Sequence, residues 1–287
     1  MLPDSERIAN PSDMRLFYPI LALLVLFTTS PLVAQDEEEN PLMKKRFFLE
    51  AGIFGVTRDF KLGADGQSEG GEIDFNETFN LSDNEPTYFF KFDWRFAKKW
   101  TVAFETFGVN AGNSLILEED VTWEDITFEK GSFVRAGVDF RLYRLFFSRT
   151  ILNRPKHLIN VGLGLHAINI GAFIEGEGRT SEGNIEPGKR RVNGLIPLPN
   201  IGASYMWAPH RKWMIGANLD WLGLTIDQYS GSLWYFAPKV KFQIVEHFGV
   251  GVNYALFSLD AKVDAENWNG RFDMSFSGPL ISLHGNF

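Results

Sequence analysis

Aromatic residues at every second position, connections that alternate between short and long, and a terminal phenylalanine on an alternating strand predict an all-β protein. Together they point to an up-and-down antiparallel transmembrane β-barrel of about ten strands. The first observation is sharpest at residues 88 to 109, YFFKFDWRFAKKWTVAFETFGV. Tyr88, Phe90, Phe92, Trp94 and Phe96 fall on one face, and Phe89, Lys91, Asp93 and Arg95 on the other. Side chains alternate along a strand, whereas a helix would scatter these rings around its circumference. Ala97-Lys98-Lys99 forms a turn, and alternation resumes with Val102 and Phe104 against Glu105. Alternation alone leaves the wet face open: a soluble lipocalin-like barrel holds its apolar face inside, a membrane barrel outside.

The 287-residue chain has room for one large β domain or two small ones. A net charge of −8 offers no basic face for phosphates, so no nucleic-acid partner is expected. With no cysteine, disulfides, thiolate metal sites and an acylated lipoprotein anchor are excluded. From Met14 the chain reads MRLFYPILALLVLFTTSPLVAQ, with one positive charge at Arg15, an apolar run to Phe27 and Leu32-Val33-Ala34 before Gln35. That is the layout of a secretory signal peptide, with an N-terminal anchor helix as the alternative, and its apolar run falls short of the roughly 20 residues a transmembrane helix needs. The expected organisation is an upstream extension and signal peptide over 1–34, starting at Met14, an acidic solvated periplasmic linker over 35–45, and an outer-membrane barrel over 46–287.

Strands are expected at 46–58, 86–97, 99–110, 130–143, 157–174, 195–207, 212–226, 231–244, 247–260 and 270–287. An eight-stranded barrel, with one strand pair reassigned to a loop, and a soluble periplasmic barrel are the alternatives. The short connections are 97–99, 208–212 and 245–247; long polar ones cover 59–85, 111–129, 175–194 and 261–269. Short turns on the periplasmic side and long loops outside describe an outer-membrane barrel, whose even strand count returns both ends to the periplasm. Residues 144–156, RLFFSRTILNRPK, break this rhythm, because a periplasmic turn is due there and the segment is long, basic and partly apolar. The pattern assigns it no role; an interfacial segment lying on the inner leaflet is one reading it allows.

On this reading the aromatic face meets lipid and the charges line a lumen. In SFVRAGVDFRL (132–142) Val134, Ala136, Val138, Phe140 and Leu142 are placed outward and Arg135, Asp139 and Arg141 inward. Lys239 and Lys241 point inward between Val240 and Phe242, since a lysine facing lipid at the midplane would cost about 2–4 kcal/mol. With Glu50, Lys91, Asp93, Arg95 and Glu105 these residues form the expected lumen charge network. Interleaved signs favour mutual pairing that fills a narrow barrel over an ion path. Trp100 and Trp213 follow basic turns and are expected interface anchors. Phe272, Met274 and Phe276 share one parity and Ile281, Leu283 and Phe287 the other, which suggests a β-bulge at Gly278-Pro279.

Candidate chemistry is sparse. An omptin-type protease site would need a histidine and several aspartates at the extracellular rim, whereas His157, His210, His247 and His284 fall near expected periplasmic ends. Only His166 sits within a strand, pointing into the lumen with Gly162 and Gly164. His166 with Asn169, or His284 with Ser282, could be paired, but hydrogen-bonded lumen groups are the simpler explanation. Lys189, Arg190 and Arg191 could touch lipopolysaccharide phosphates, or simply be solvated. Glu118-Glu119-Asp120 and Glu124-Asp125 lack a calcium-loop spacing, and neither metal nor cofactor is expected.

The stretch IPLPNIGASYMWAPHRKWMIGANLDWLGLTIDQYSGSLWYF, followed by HFGVGVNYALFSLDAKVD, WNGRF and SGPLISLHGNF, carries the succession PLP, KW, YSG, GxGxNY, NGR, GP and a terminal Phe. Over residues 195–287 it resembles a group of uncharacterised Gram-negative outer-membrane β-barrel proteins. The resemblance implies location and topology and no catalytic residues. The terminal strand, with Ile281, Leu283 and Phe287 on one face, also resembles the signal read by the barrel assembly machinery, except at Gly285, where a bulky residue is preferred. Expected partners are therefore outer-membrane lipid, lipopolysaccharide and that machinery. The expected function is non-enzymatic: a barrel with a largely filled polar lumen in an envelope structural or surface-interaction role. A narrow passive channel is the alternative, and a lipid- or peptide-modifying enzyme stands third.

Overall fold

The computed structural model describes residues 40–65, 73–81, 84–123, 126–180, 184–226, 229–265 and 268–287. The expected signal peptide and most of the acidic linker lie outside these residues, as do Glu124 and Asp125. Ten long antiparallel strands close into one barrel. In chain order the strands are β1 (Phe47–Asp65), β2 (Ile73–Asp74), β3 (Asn84–Ala97), β4 (Trp100–Ile116), β5 (Val121–Trp123), β6 (Ile126–Phe128), β7 (Phe133–Arg154), β8 (His157–Thr180), β9 (Ile185–His210), β10 (Trp213–Ile226), β11 (Tyr229–Gln243), β12 (Phe248–Ala265) and β13 (Trp268–Asn286). Neighbours pair in sequence, and β1 closes the ring by pairing β3 through Phe48↔Asp93 and β13 through Phe48↔Asn286. The short β2, β5 and β6 sit above the barrel with a helical turn, α2 (Phe75–Phe79); another, α1 (Pro41–Lys44), precedes β1.

The outer face carries an apolar belt. Tyr88, Phe90, Trp94 and Phe96 on β3, Leu163 and Leu165 on β8, and Val250, Val252 and Leu256 on β12 are all exposed. Contiguous exposed apolar surface on this scale is a liability in water and the requirement in a bilayer. Trp94, Trp100 and Trp213 lie toward the periplasmic edge, whereas Trp221 and Trp234, cross-strand partners, lie toward the other.

Beyond the belt the two faces exchange chemistry. Thr57, Asp59, Asn110, Arg141, Asn169 and Ser258 point outward and are exposed, while Val56, Phe60, Val109, Phe140, Ile170 and Met274 are buried inside. The strands are long enough for this: β7, β8 and β9 have 22, 24 and 26 residues, against the roughly 9–11 that cross a bilayer. The upper part therefore stands in water with an apolar interior.

This exchange corrects two expectations. On β7, Val134, Ala136, Val138, Phe140 and Leu142 face inward and are buried. Arg135 and Arg141 are exposed on the outer face and Asp139 is half-exposed there, so these three do not belong to the lumen network. The physical reason is their height: above the bilayer, charge prefers the outside and the apolar side chains take the interior. Nor is there a bulge at Gly278-Pro279, because the β12–β13 register runs without a break from Phe248↔Gly285 to Ala265↔Trp268. Met274 and Phe276 point in and Ile281 and Leu283 point out on one continuous parity, since the apolar face changes sides along the strand.

Residues 144–156 are no interfacial segment. They continue β7 to Arg154 and turn at Pro155-Lys156 into β8, which carries Arg144 into the barrel interior. Among the described residues, the expected long loops at 111–129 and 175–194 are largely strand, and 59–85 holds strand at 59–65, 73–74 and 84–85 with the helical turn α2 between. Phe75, Phe79, Trp123 and Phe128 pack over Phe60 to cap the top, with ring centroids of Phe75 5.4 Å from Phe60 and 5.8 Å from Trp123. In the raised wall Glu175 accepts from Lys189 (3.0 Å) and Arg135 (3.3 Å), and these cations hold its carboxyl below the usual carboxylate range.

Candidate functional site

The interior of the membrane-spanning part is a connected polar network. Its row begins at the register Glu50↔Lys91↔Glu105↔Arg144↔His166, in which inward residues of five adjacent strands stand side by side. Lys91 bridges Glu105 (3.5 Å) and Asp93 (3.6 Å). Arg144 lies 3.9 Å from Glu105 and donates through Nε and Nη2 to Asp220 at 2.5 and 2.9 Å. Tyr235 donates its hydroxyl to Glu105 at 2.8 Å. From the strands on the other side of β1, Lys241 (2.5 Å), Ser282 (2.6 Å) and Asn253 (3.1 Å) all donate to Glu50. The buried charges of Glu50, Lys91, Glu105, Arg144, Asp220 and Lys241 are tolerated because each faces an opposite charge within 4.0 Å.

Close approach at the wall makes room for it. Asp220 lies flat against Gly202, whose missing side chain would overlap Asp220 Oδ1 and meet the Phe146 ring at 2.8 Å. Gly164 likewise admits Asn200, which pairs with His166 Nδ1 at 2.9 Å.

Directly above, the lumen is closed by rings. Phe107 packs 5.0 Å from both Phe54 and Phe276, and 5.9 Å from Phe140. Phe257 stacks on Phe276 at 4.6 Å. These residues are buried, and between them and the ion pairs lies a cavity of about 20 Å³.

The periplasmic mouth is covered from below. Asn40 caps α1, accepting from Leu42 N at 2.9 Å, and its amide donates across the barrel to the carbonyls of His210 (3.2 Å) and Trp213 (3.0 Å). Arg95 reaches back to the Met43 carbonyl at 2.7 Å, and Met43 packs with Leu158 and Ala208. Residues 40–45 are thus docked on the barrel, unlike a solvated linker.

Of the expected network, Glu50, Lys91, Asp93, Arg95, Glu105, Lys239 and Lys241 face the lumen. Arg144, Asp220 and Tyr235 were missed. Arg144 was hidden in a supposed turn, although it follows Leu142 in phase; Asp220 stands alone in the apolar NLDWLGL. Trp100 and Trp213 face outward beside Phe147 (5.0 Å) and Phe242 (4.8 Å). Ile281 and Leu283 face outward on β13 and Phe287 is exposed just beyond its end, and the Phe287 and Phe248 rings cover Gly285 at 3.1 and 3.5 Å from where its Cβ would stand. The proposed histidine pairs do not form: Asn169 is on the outer face, Ser282 is engaged by Glu50, and His284 contacts Gln243 at 3.1 Å.

No protein-family model matches the chain, and no curated protein matches it in sequence. Among solved structures it is similar to the outer membrane protease OmpT from Escherichia coli, with TM-score 0.56 and 12% identity over 90% of this chain and 100% of that one. The chain has the fold of the outer-membrane β-barrels. Ail of Yersinia pestis matches at TM-score 0.33 and 12% identity, covering 85% and 100% of the two chains. The Pseudomonas putida toluene transporter TodX matches at 0.38 and 8%, covering 86% and 91%. At these identities the likeness concerns fold alone.

Proposed function

We propose that this is a non-enzymatic outer-membrane barrel with an occluded lumen, serving envelope structure or surface interaction through its raised extracellular wall. The observation that supports it most directly is the ring cluster of Phe54, Phe107, Phe140, Phe257 and Phe276 lying across the lumen above a paired charge network. A solute crossing it would have to displace packed aromatic side chains, each worth several kcal/mol of burial. The wall above the membrane, with its exposed charges on β7 to β9, is the surface left for partners, lipopolysaccharide among them.

Single-channel recording of the refolded barrel in a planar bilayer tests this reading. With insertion verified separately, the expected trace is silent. Steady ohmic openings whose ion preference changes on Lys91→Met would replace it with a narrow passive channel.

A further inference from the structure

Below the ion pairs lies a vestibule of about 90 Å³ that opens toward the periplasm. Among the described residues its walls carry seven cationic side chains and one carboxylate, Asp93. Lys91, Arg144 and Lys241 are matched by the carboxylates already described, and Lys45 reaches Glu246 at 3.5 Å. Arg46, Arg95 and Lys239 have no carboxylate within 4.0 Å among the described residues. Lys239 donates only to Asn218 Oδ1, at 2.8 Å. Arg95 gives one nitrogen to the Met43 carbonyl, while its Nε is buried without an acceptor. Arg46 and Arg95 also line an adjoining rim groove of about 390 Å³ with Lys44, Lys98 and Arg154, and among the described residues no carboxylate lines it. Basic surface therefore runs from the rim into the lumen.

We propose that this vestibule binds a phosphate-type oxyanion, held by Lys239 and Arg95 with Arg46 at its mouth. Lys239 and Arg95 are partly buried and lack a paired carboxylate, which is unfavourable; a multivalent anion relieves both, and the exposed Arg46 adds charge at the mouth. A guanidinium with a free edge offers the forked geometry that tetrahedral oxyanions take, and the ammonium supplies a point charge from the opposite side. The rings above make the site blind-ended, so the anion enters and leaves on the periplasmic side. A vestibule this small admits a free phosphate or sulfate, or the phosphate head of an inner-leaflet lipid reaching in along the rim groove.

The test is calorimetric titration of inorganic phosphate into the full refolded barrel in zwitterionic detergent, at constant ionic strength with chloride as comparator. Saturable phosphate binding that chloride does not match is expected. Lys239→Met should weaken it about tenfold or more, and Lys239→Arg should retain it. Arg95→Gln gives an independent second variant should Lys239→Met fail to show a folded barrel by its gel mobility. No phosphate heat, equal binding of chloride, or affinity indifferent to both substitutions would overturn the proposal. Repeating the titration in nanodiscs assigns the source: competition by phosphatidylglycerol points to a lipid phosphate, and undiminished binding points to a soluble anion. Binding is read without any conductance, so its failure leaves the occluded-lumen reading standing, and the reverse also holds.

Discussion

Arg144 and Asp220, 76 residues apart, meet inside the barrel through two hydrogen bonds of 2.5 and 2.9 Å with both side chains buried. Replacing Asp220 with Ala strands a guanidinium whose other carboxylate, Glu105, is 3.9 Å away. Stability is expected to fall by about 3–5 kcal/mol, measured by denaturant unfolding in lipid vesicles. The double variant Arg144→Met, Asp220→Leu should recover much of this, because it leaves no unpaired charge. A single-variant loss below about 1 kcal/mol would mean the pair is solvated like a surface bridge.

Gly202→Ala tests the same cluster from the wall. Its methyl would overlap Asp220 Oδ1, so a loss of about 1–3 kcal/mol is expected from overpacking. Gly194→Ala, on the same strand with open space around it, should be silent in the same assay.

Phe107 touches three other rings of the lumen cluster. Phe107→Ala is expected to lower stability by about 3–5 kcal/mol. Combined with Phe276→Ala it should yield conducting openings in a bilayer where the parent chain gives none.

The docking of α1 depends on Asn40, which caps it and spans to β9 and β10. Since the chain has no cysteine, a single Cys at Leu42 reports on docking through its reactivity with a charged maleimide. Adding Asn40→Ala should accelerate labelling about tenfold, the equivalent of losing one cap and its cross-barrel bonds. Unchanged kinetics would mean that Met43 and Arg95 suffice.

Above the membrane, Lys189 is the first cause of the lowered titration of Glu175. The folded value lies below the unfolded one, so the interaction is present at neutral pH and lost as pH falls through that lowered value. Lys189→Met should move the Glu175 carboxyl titration, followed by NMR, upward toward the usual range. No movement would leave Arg135 as the partner that matters.

Strand number, closure and the periplasmic turns at 98–99 and 211–212 were legible because alternation and turn chemistry are local. The facing of β3 was legible too, since Lys91, Asp93 and Arg95 cannot face lipid. What failed was facing on β7 and β13. There, an apolar parity does not mean lipid along the whole strand, because a strand of 22 residues passes from bilayer into water, where apolar means inside. Sequence periodicity fixes that two faces differ and is blind to which solvent each one meets. Asp220 stayed hidden for a related reason: its partner Arg144 is distant in the chain, and pairing of that kind leaves no periodic trace.

The reversal of apolar parity along the strands also acts as a draught mark. Were the barrel to sink by a few residues, Arg141 and Asp139 would enter hydrocarbon, at about 2–4 kcal/mol for an arginine near the midplane. Were it to rise, Leu163, Val252 and their neighbours would surface into water. Both displacements are opposed, so one chain encodes its own vertical position and holds the capped upper wall at a set height above the cell surface, whatever comes to meet it there.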